Sequence, residues 1–477
     1  MKRIAIIGGG ITGLATAHRL VELAQQKPKP LKLTIFEASP RLGGTIETTH
    51  RDGFLLEHGP DAFISEKPEA LALAQRLGIE SKIIQTNERN RRSFIVRHGQ
   101  LRAVPEGFQL LAPSRMWPFI TSDIFSFSGK LRMTADLLLP RRSHNGADDE
   151  SLASFVRRRL GQEALERMAQ PMVGGIYTAD PEVLSLRATL PRFLDMEQSD
   201  RSLILAMWRK GRQSKNETGV SGARYSLFLS FDQGMEVIVD ALKKSIANSR
   251  LPNADCDVRL NTKVTKLERL ADGAWSITTG SGEELPFDSV CLAVPSYVAG
   301  TLLKETSPTL GSRLNQINFA STATVNIAYK QSDTHDLNGF GFVVPFVEKR
   351  SLIACTFSSV KFSGRAPEGY VLLRAFVGGA LQPQMLDLDD DEINRRVQAD
   401  LRELLGVTGK PQFSVVSRWN KSMPQYEVGH LERVAEIEHE SSTIGCLTLA
   451  GNSYRGAGIP DCIKSGEAVA EQMSDML

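Results

Sequence analysis

Apolar residues run together over residues 3–7 (RIAII), stop at three glycines, and then recur at helical spacing through Leu14, Ala17, Leu20, Val21 and Ala24 to about Gln26. KPKP at 27–30 breaks that periodicity and LKLTIFEAS (31–39) opens a second apolar run. Strand, glycine turn, helix and strand together predict a β-α-β unit. Alternation over 257–295 predicts several strands with a turn at Asp272-Gly273, and further strands are predicted at 322–330, 351–357 and 370–379. Helical periodicity dominates 70–79, 151–169 and 389–406. The polar stretch 141–150 predicts a surface loop, and no internal repeat is present. Near the end, LTLAG (447–451) predicts a strand, followed by a second glycine-rich turn and a helix from about Asp461.

Composition adds limits. With 477 residues, 41% hydrophobic and 23% charged, the chain is long enough for two or more domains. Lys and Arg total 57 against 55 Asp and Glu, so a formal charge of +2 gives no global field for nucleic acid. Five scattered cysteines (Cys256, Cys291, Cys355, Cys446, Cys462) show no metal-ligand or CxxC spacing and fit a reducing compartment, the cytoplasm. The first seventeen residues have a basic start and an apolar run, but three glycines interrupt what would be a signal-peptide core and the following turns stay amphipathic. No run reaches the roughly 18 to 20 apolar residues that cross a bilayer.

Gly8, Gly10 and Gly13 fit GxGxxG between a strand and a helix. That pattern gives a tight turn, close backbone approach to a pyrophosphate, and helix–strand packing, with helix N–H groups facing the anion. Glu37, at the end of the second strand, is placed to accept from ribose hydroxyls. The combination predicts a dinucleotide without saying which. The following block, EASPRLGGTIETTHRDGFLLEHGPDAF (37–63), puts Arg41 and Gly43-Gly44 directly after the acid, a second backbone approach suited to a long anionic cofactor.

Those residues resemble the FAD signature of the flavin amine oxidase superfamily. The blocks PMVGGIYTADPEVLSLRA (171–188), SLFLSFDQGMEVIVDAL (226–242), FSGRAPEGYVLLRAFVGG (362–379), RWNKSMPQYEVGHLERV (418–434) and YRGAGIPDCIKSG (454–466) are similar, in order, to the protoporphyrinogen and coproporphyrinogen oxidases within it. The resemblance implies an α/β fold: a Rossmann-like FAD-binding domain from 1–70, 225–300 and 410–477, an interleaved α+β substrate domain from 71–90, 205–224 and 301–409, and a helical lid or membrane-binding region at 91–204. It implies that both ends of the chain hold the FAD. The implied contacts are Gly8, Gly9, Gly10, Ile11, Thr12, Gly13, Glu37, Ala38, Arg41, Gly44, Gly59, Pro60, Asp61, Ala62, Val264, Trp419, Ala457, Gly458 and Ile459. Taken alone, Val264 is a strand residue and Trp419 a core aromatic. Many relatives carry Gly-Asp where this chain has Gly451-Asn452, an exchange that keeps a hydrogen bond and loses a charge.

The substrate so implied is a porphyrinogen, a broad apolar tetrapyrrole with carboxylates, calling for an apolar pocket with few cations. The resemblance places Lys67 near a propionate, Gly175 at a pyrrole N–H and Phe340 against a pyrrole ring; read alone, Lys67 is a solvated lysine. No catalytic side chain is expected. Flavin N5 takes the hydride in each of three two-electron cycles, and molecular oxygen closes each cycle. His58 and His18 read as structural. Residues 108–142 combine Trp117, Phe119, Phe125 and Phe127 with Arg115, Lys130, Arg132, Arg141 and Arg142, which suits either a peripheral contact with the inner face of the cell membrane or a pocket lid. A homodimer is compatible with the resemblance. The competing readings are another flavin desaturase or amine oxidase, although Gly458-Ile459-Pro460 stand where an amine oxidase places cage aromatics, and a flavin-less binding protein like the GDP-dissociation inhibitors.

Overall fold

In a computed structural model, residues 1–26, 30–142, 149–216, 227–248 and 254–476 are described; the core of the predicted loop at 141–150 and most of the KPKP break lie outside them. Five parallel strands form the central sheet: β1 (Lys2–Ile7), β2 (Leu31–Phe36), β3 (Ala254–Arg259), β4 (Ser289–Leu292) and β5 (Leu447–Leu449), in the order β3-β2-β1-β4-β5. Both faces are covered, which is why β1 reads as an unbroken apolar run. Ile4 and Ile6 point into a core shared with α1 (Ile11–Gln26), α2 (Glu236–Asn248) and α3 (Ile459–Met476). Ala5 and Ile7 point the other way, toward an antiparallel three-stranded sheet (Val264–Arg269, Trp275–Thr279, Glu284–Phe287) carrying the buried Trp275. The tips of β1, β2 and β4 therefore open at one end, where ligands of open α/β sheets bind.

A seven-stranded sheet forms the second layer. Its order is Phe413–Pro424, Phe319–Lys330, Tyr370–Gly378, Ala354–Thr356, Gly341–Val343, Ser93–Arg97, Gln100–Ala103, antiparallel apart from the pairing of 341–343 with 93–97. The helix Asp390–Leu405 packs on it through Ile393, Val397 and Leu401. Asp389 caps that helix by accepting from the Glu392 N–H at 2.8 Å, and Gly406 ends it at a φ of +63°.

Helices between 116 and 216 make a third cluster around Phe119, Phe155, Met168, Phe193 and Met207. At its centre the fully buried Arg159 donates to Asp136 at 2.6 Å, while the other Asp136 oxygen accepts from the Ser202 hydroxyl (2.6 Å) and the Ile204 N–H (3.1 Å). Each lone pair and proton is matched, the condition for a buried ion pair to be tolerated.

Three sequence expectations are corrected. The helix predicted over 151–169 stops at Arg159 because Gly161 takes a φ of +96°; the chain then restarts and continues through a wide turn, Leu165–Ala169, into the helix Gln170–Tyr177. The strand predicted at 351–357 is only Ala354–Thr356. The last helix begins at Ile459, two residues before Asp461.

Candidate active site

At the tip of β1 the Gly8 N–H donates to Phe36 O at 2.8 Å, turning the chain into α1. A Cβ on Gly13 would stand 2.0 Å from Gly8 O, so only glycine lets the helix start so close to the strand it leaves. Gly9, Gly10, Ile11 and Thr12 lie between them, at the helix N-terminus. Glu37 follows β2 and reaches across: one carboxylate oxygen accepts the Gly9 N–H at 2.7 Å and the other accepts the Ser39 N–H at 2.8 Å. Each oxygen keeps a lone pair free for a hydroxyl. Ala38 beside it is exposed, and Glu37 O accepts from Thr262 N at 2.8 Å, two residues before the buried Val264. These widely separated residues thus meet at one end of the sheet.

The second glycine turn lies against the first, with Gly43 N donating to Gly9 O at 2.8 Å. Arg41 braces this turn: its guanidinium donates to Ile46 O (2.9 Å), Gly44 O (2.7 Å) and the Glu47 carboxylate (3.0 Å). The cation predicted to meet the cofactor directly is committed to the loop that carries Gly44.

The loop of Gly59, Pro60, Asp61 and Ala62 is clamped from the second sheet. Trp419 Nε1 and Thr324 Oγ1 both donate to His58 O at 2.8 Å, and Arg374 donates to Gly59 O. Asp61 pairs with the Lys361 ammonium at 2.9 Å. Burial pushes the Asp61 carboxyl up, but Lys361 and then Arg374 outweigh it and hold it below the usual carboxylate range. A Cβ on Gly59 would lie 1.7 Å from Thr45 O. Neither Arg374 nor Lys361 was among the sequence candidates; the signal for Arg374 was there, as a cation inside the apolar run YVLLRAFVGG.

The C-terminal turn is held by Tyr426, also missed, whose block carries no pattern that singles it out. Its hydroxyl donates to Asn452 O at 2.5 Å and accepts the Gly456 N–H at 3.0 Å. The ring stacks on His430 at 4.1 Å and 18°. His430 donates through Nε2 to Tyr454 O at 2.7 Å, and burial first of all pushes its pKa down to about 4, so it is neutral. Ala457 and Gly458 lie toward solvent ahead of α3, while Ile459 is buried.

Of the substrate candidates, Gly175 is exposed on the helix Gln170–Tyr177, where a Cβ would sit 3.5 Å from a Val343 methyl. Phe340 precedes the strand that carries Val343, its N–H donating to Arg92 O at 2.7 Å. Ile176, next to Gly175, and Phe346, whose N–H donates to Gln170 Oε1 at 2.8 Å on the same helix, are exposed apolar residues. Lys67 stands at the C-terminal turn, its ammonium 2.5 and 2.7 Å from the two oxygens of Asp461 in the first turn of α3. Tyr177, two residues after Gly175, joins the two parts: burial and then the Asp461 carboxylate push its phenol up to about 12.

Two stacked glycine turns, an acid that holds the first of them at the sheet tip, and a late turn after β5 at the same end define a dinucleotide flavoprotein of the two-ended kind. The profile of the flavin containing amine oxidoreductases matches residues 11–474, and the chain belongs to that family. Its cofactor is FAD, which fits the free lone pairs of Glu37 and the open face of the turn at Gly10, where a Cβ would meet nothing nearer than Gly44 Cα at 3.9 Å. The chain is 36% identical to a coproporphyrinogen III oxidase of Bacillus subtilis (strain 168) over 469 residues, covering 98% of this chain and 97% of that one. It is 29% identical over 493 residues to the chloroplastic protoporphyrinogen oxidase of Nicotiana tabacum, covering 99% and 85%. A solved structure from Exiguobacterium sp. 255-15 superposes with a TM-score of 0.87 at 30% identity, covering 100% and 99%. Putrescine oxidase, at 17% identity, TM-score 0.69 and 99% and 98% coverage, shares the fold. Among the described residues no helix is long and apolar enough to cross a membrane, and no group of His, Cys, Asp or Glu is arranged for a metal.

Proposed function

We propose that the protein oxidises coproporphyrinogen III to coproporphyrin III in haem biosynthesis. The observation that carries this is full-length similarity at 34–36% to three bacterial coproporphyrinogen III oxidases, against 29% for the chloroplastic protoporphyrinogen oxidase of tobacco. When bound, the FAD accepts at its N5 the hydride removed from a meso methylene. Glu37 holds the adenosine ribose, the Gly8–Gly13 turn receives the pyrophosphate, Val264 flanks the adenine, and the 59–62 loop, Trp419 and the 457–459 turn enclose the flavin. The chain itself positions and excludes water: Gly175, Phe340 and Ile176 offer an apolar wall to the macrocycle. Tyr177 stays protonated and His430 stays neutral and committed to a carbonyl, so neither serves as a base at neutral pH. Of the three protons that accompany the three hydrides, two leave pyrrole nitrogens and one leaves a meso carbon, since a porphyrin keeps two N–H groups and one hydrogen on each of four meso carbons. Three such steps remove six electrons and six protons, and three molecules of oxygen carry them off as three of hydrogen peroxide. The segments 1–70, 225–300 and 410–477 act as the cofactor unit, with 71–90, 205–224 and 301–409 as the substrate unit.

The purified holoprotein, assayed under air with coproporphyrinogen III and protoporphyrinogen IX side by side, should form coproporphyrin with the higher kcat/KM and release three peroxides per porphyrin. No porphyrin from either substrate removes the proposal; faster protoporphyrin formation reverses the choice of substrate.

The stretch 108–142 supports a peripheral membrane contact at the cytoplasmic face. Phe119 and Phe125 are core residues, but Trp117 is 74%, Phe127 84%, Leu131 65% and Leu138 82% exposed, a contiguous set of short helices with Lys130 and Arg141 at their edge. Exposed apolar patches of this kind mark an interface. Flotation with anionic liposomes at low salt, lost in a variant with Phe127→Ser and Leu138→Ser, is expected; no flotation at any salt leaves the helices as a lid.

A further inference from the structure

The predicted substrate cation, Lys67, is already matched by Asp461, two oxygens on one ammonium. A carboxylate arriving there meets a neutralised pair. Arg192 is different. It lies in the first turn of the helix Pro191–Asp200, three residues after Thr189, whose carbonyl accepts the Tyr177 hydroxyl at 3.3 Å. Its guanidinium is half-buried over the Phe193 ring at 5.0 Å, the Nε is shielded from solvent, and no acceptor within the described residues takes a hydrogen bond or ion pair from it. A cation in the first turn of a helix opposes the helix dipole, so this placement does not stabilise the helix. The Tyr177–Thr189 hydrogen bond ties the chain just before Arg192 to the helix that carries Gly175, and Arg192 and Asp461 are both within electrostatic reach of the Tyr177 phenol, the first lowering and the second raising its pKa.

We propose that Arg192 receives a peripheral carboxylate of the tetrapyrrole and is the principal charged determinant of substrate binding, with the Lys67–Asp461 pair setting the neighbouring edge. This rests on the porphyrinogen reading of the same site. A planar guanidinium suits a carboxylate through two parallel N–H donors, and partial burial strengthens the bond relative to water. The contact lies away from the reacting carbon, so it is made alike in ground and transition states and acts on KM.

The test uses FAD-loaded wild type, Arg192→Gln and Arg192→Lys, with coproporphyrin III and its uncharged tetramethyl ester as probes read by porphyrin fluorescence. Arg192→Gln should weaken coproporphyrin binding about ten- to thirtyfold and leave the ester within about twofold; Arg192→Lys should recover most of the loss. KM for coproporphyrinogen should rise by the same factor with kcat within about twofold. Wild-type affinity for coproporphyrin, but not for the ester, should fall with salt, a measurement independent of how the variants fold. Equal affinity of wild type and Arg192→Gln for coproporphyrin, equal losses for acid and ester, or a salt-independent wild type each overturns the assignment. A wild type that oxidises porphyrinogen while Arg192→Gln is unchanged refutes this inference alone. A wild type that oxidises none refutes the proposed function itself.

Discussion

Replacing Glu37 with glutamine is the sharpest probe of the cofactor cradle because both oxygens are in use. Each accepts a backbone N–H, from Gly9 at 2.7 Å and from Ser39 at 2.8 Å. An amide has one oxygen, so whichever way it turns its NH2 group opposes a backbone donor, and the contact either to Gly9 in the glycine turn or to Ser39 is lost. A hydrogen bond to a charged group contributes about 1.5–3 kcal/mol, and Glu37 is half-buried, which favours the lower half of that range. The ribose hydroxyls lose a charged acceptor as well. FAD affinity should therefore fall about ten- to a hundredfold. Titration of the apoprotein with FAD, followed by flavin fluorescence, measures this directly, and FMN provides the control because it has no adenosine ribose. The variant should bind FMN as the parent does. FAD binding within about twofold of the parent, or equal losses for FAD and FMN, would refute the reasoning.

Gly59→Ala should cost at least about 3 kcal/mol and empty the flavin site, since its Cβ would stand 1.7 Å from Thr45 O on a loop clamped at His58 and Gly59; the flavin-to-protein ratio and a thermal melt decide it. Tyr426→Phe leaves the Gly456 N–H without its acceptor and should lower stability by about 1–3 kcal/mol and speed flavin loss on dialysis, whereas unchanged retention and melting would reduce Tyr426 to a packing residue. Glu57 gives a pH signature: burial raises its carboxyl from 4.5 to about 7, so ionising it costs the folded state more than the unfolded one. Its contribution is most favourable below pH 4.5 and declines by about 3 kcal/mol as pH rises from 4.5 to 7. Glu57→Gln should remove that decline and be relatively more stable at pH 8; parallel stability–pH curves for the two proteins would contradict it.

Local pattern made much of the cofactor half legible. An apolar run ending in glycines has few outcomes other than β1 and the start of α1, and the carboxylate after β2 falls where the pattern puts it. The groups that hold the loops were not legible, because their roles are set by pairings hundreds of residues apart. Arg41 is a cation after a ribose acid in sequence and a brace among carbonyls in space. Lys67 reads as a solvated lysine or a substrate cation until Asp461, 394 residues later, is seen against it. The twelve-residue strand Phe413–Pro424 escaped prediction since its side chains are half-buried on both faces and show neither a clean alternation nor an apolar run. The helix at 151–169 failed for the opposite reason: its apolar period continues across Gly161 although the backbone does not.

The sheet that carries the cofactor also fixes an order of events during synthesis. β1, α1 and β2 leave the ribosome within the first 36 residues, while β5 and α3 follow only after residue 447. At ordinary elongation rates that interval is roughly 20–80 seconds. Throughout it, the α1 surface that α3 will cover has no partner, and the Thr16 hydroxyl bonds only within α1, to Thr12 O at 2.9 Å, lacking the Gly466 O it later reaches at 3.1 Å. FAD capture is thus a closing step of biogenesis: chains cut short before α3 carry the GxGxxG turn intact and yet should purify colourless, since the helix that covers α1 and follows the late turn is missing.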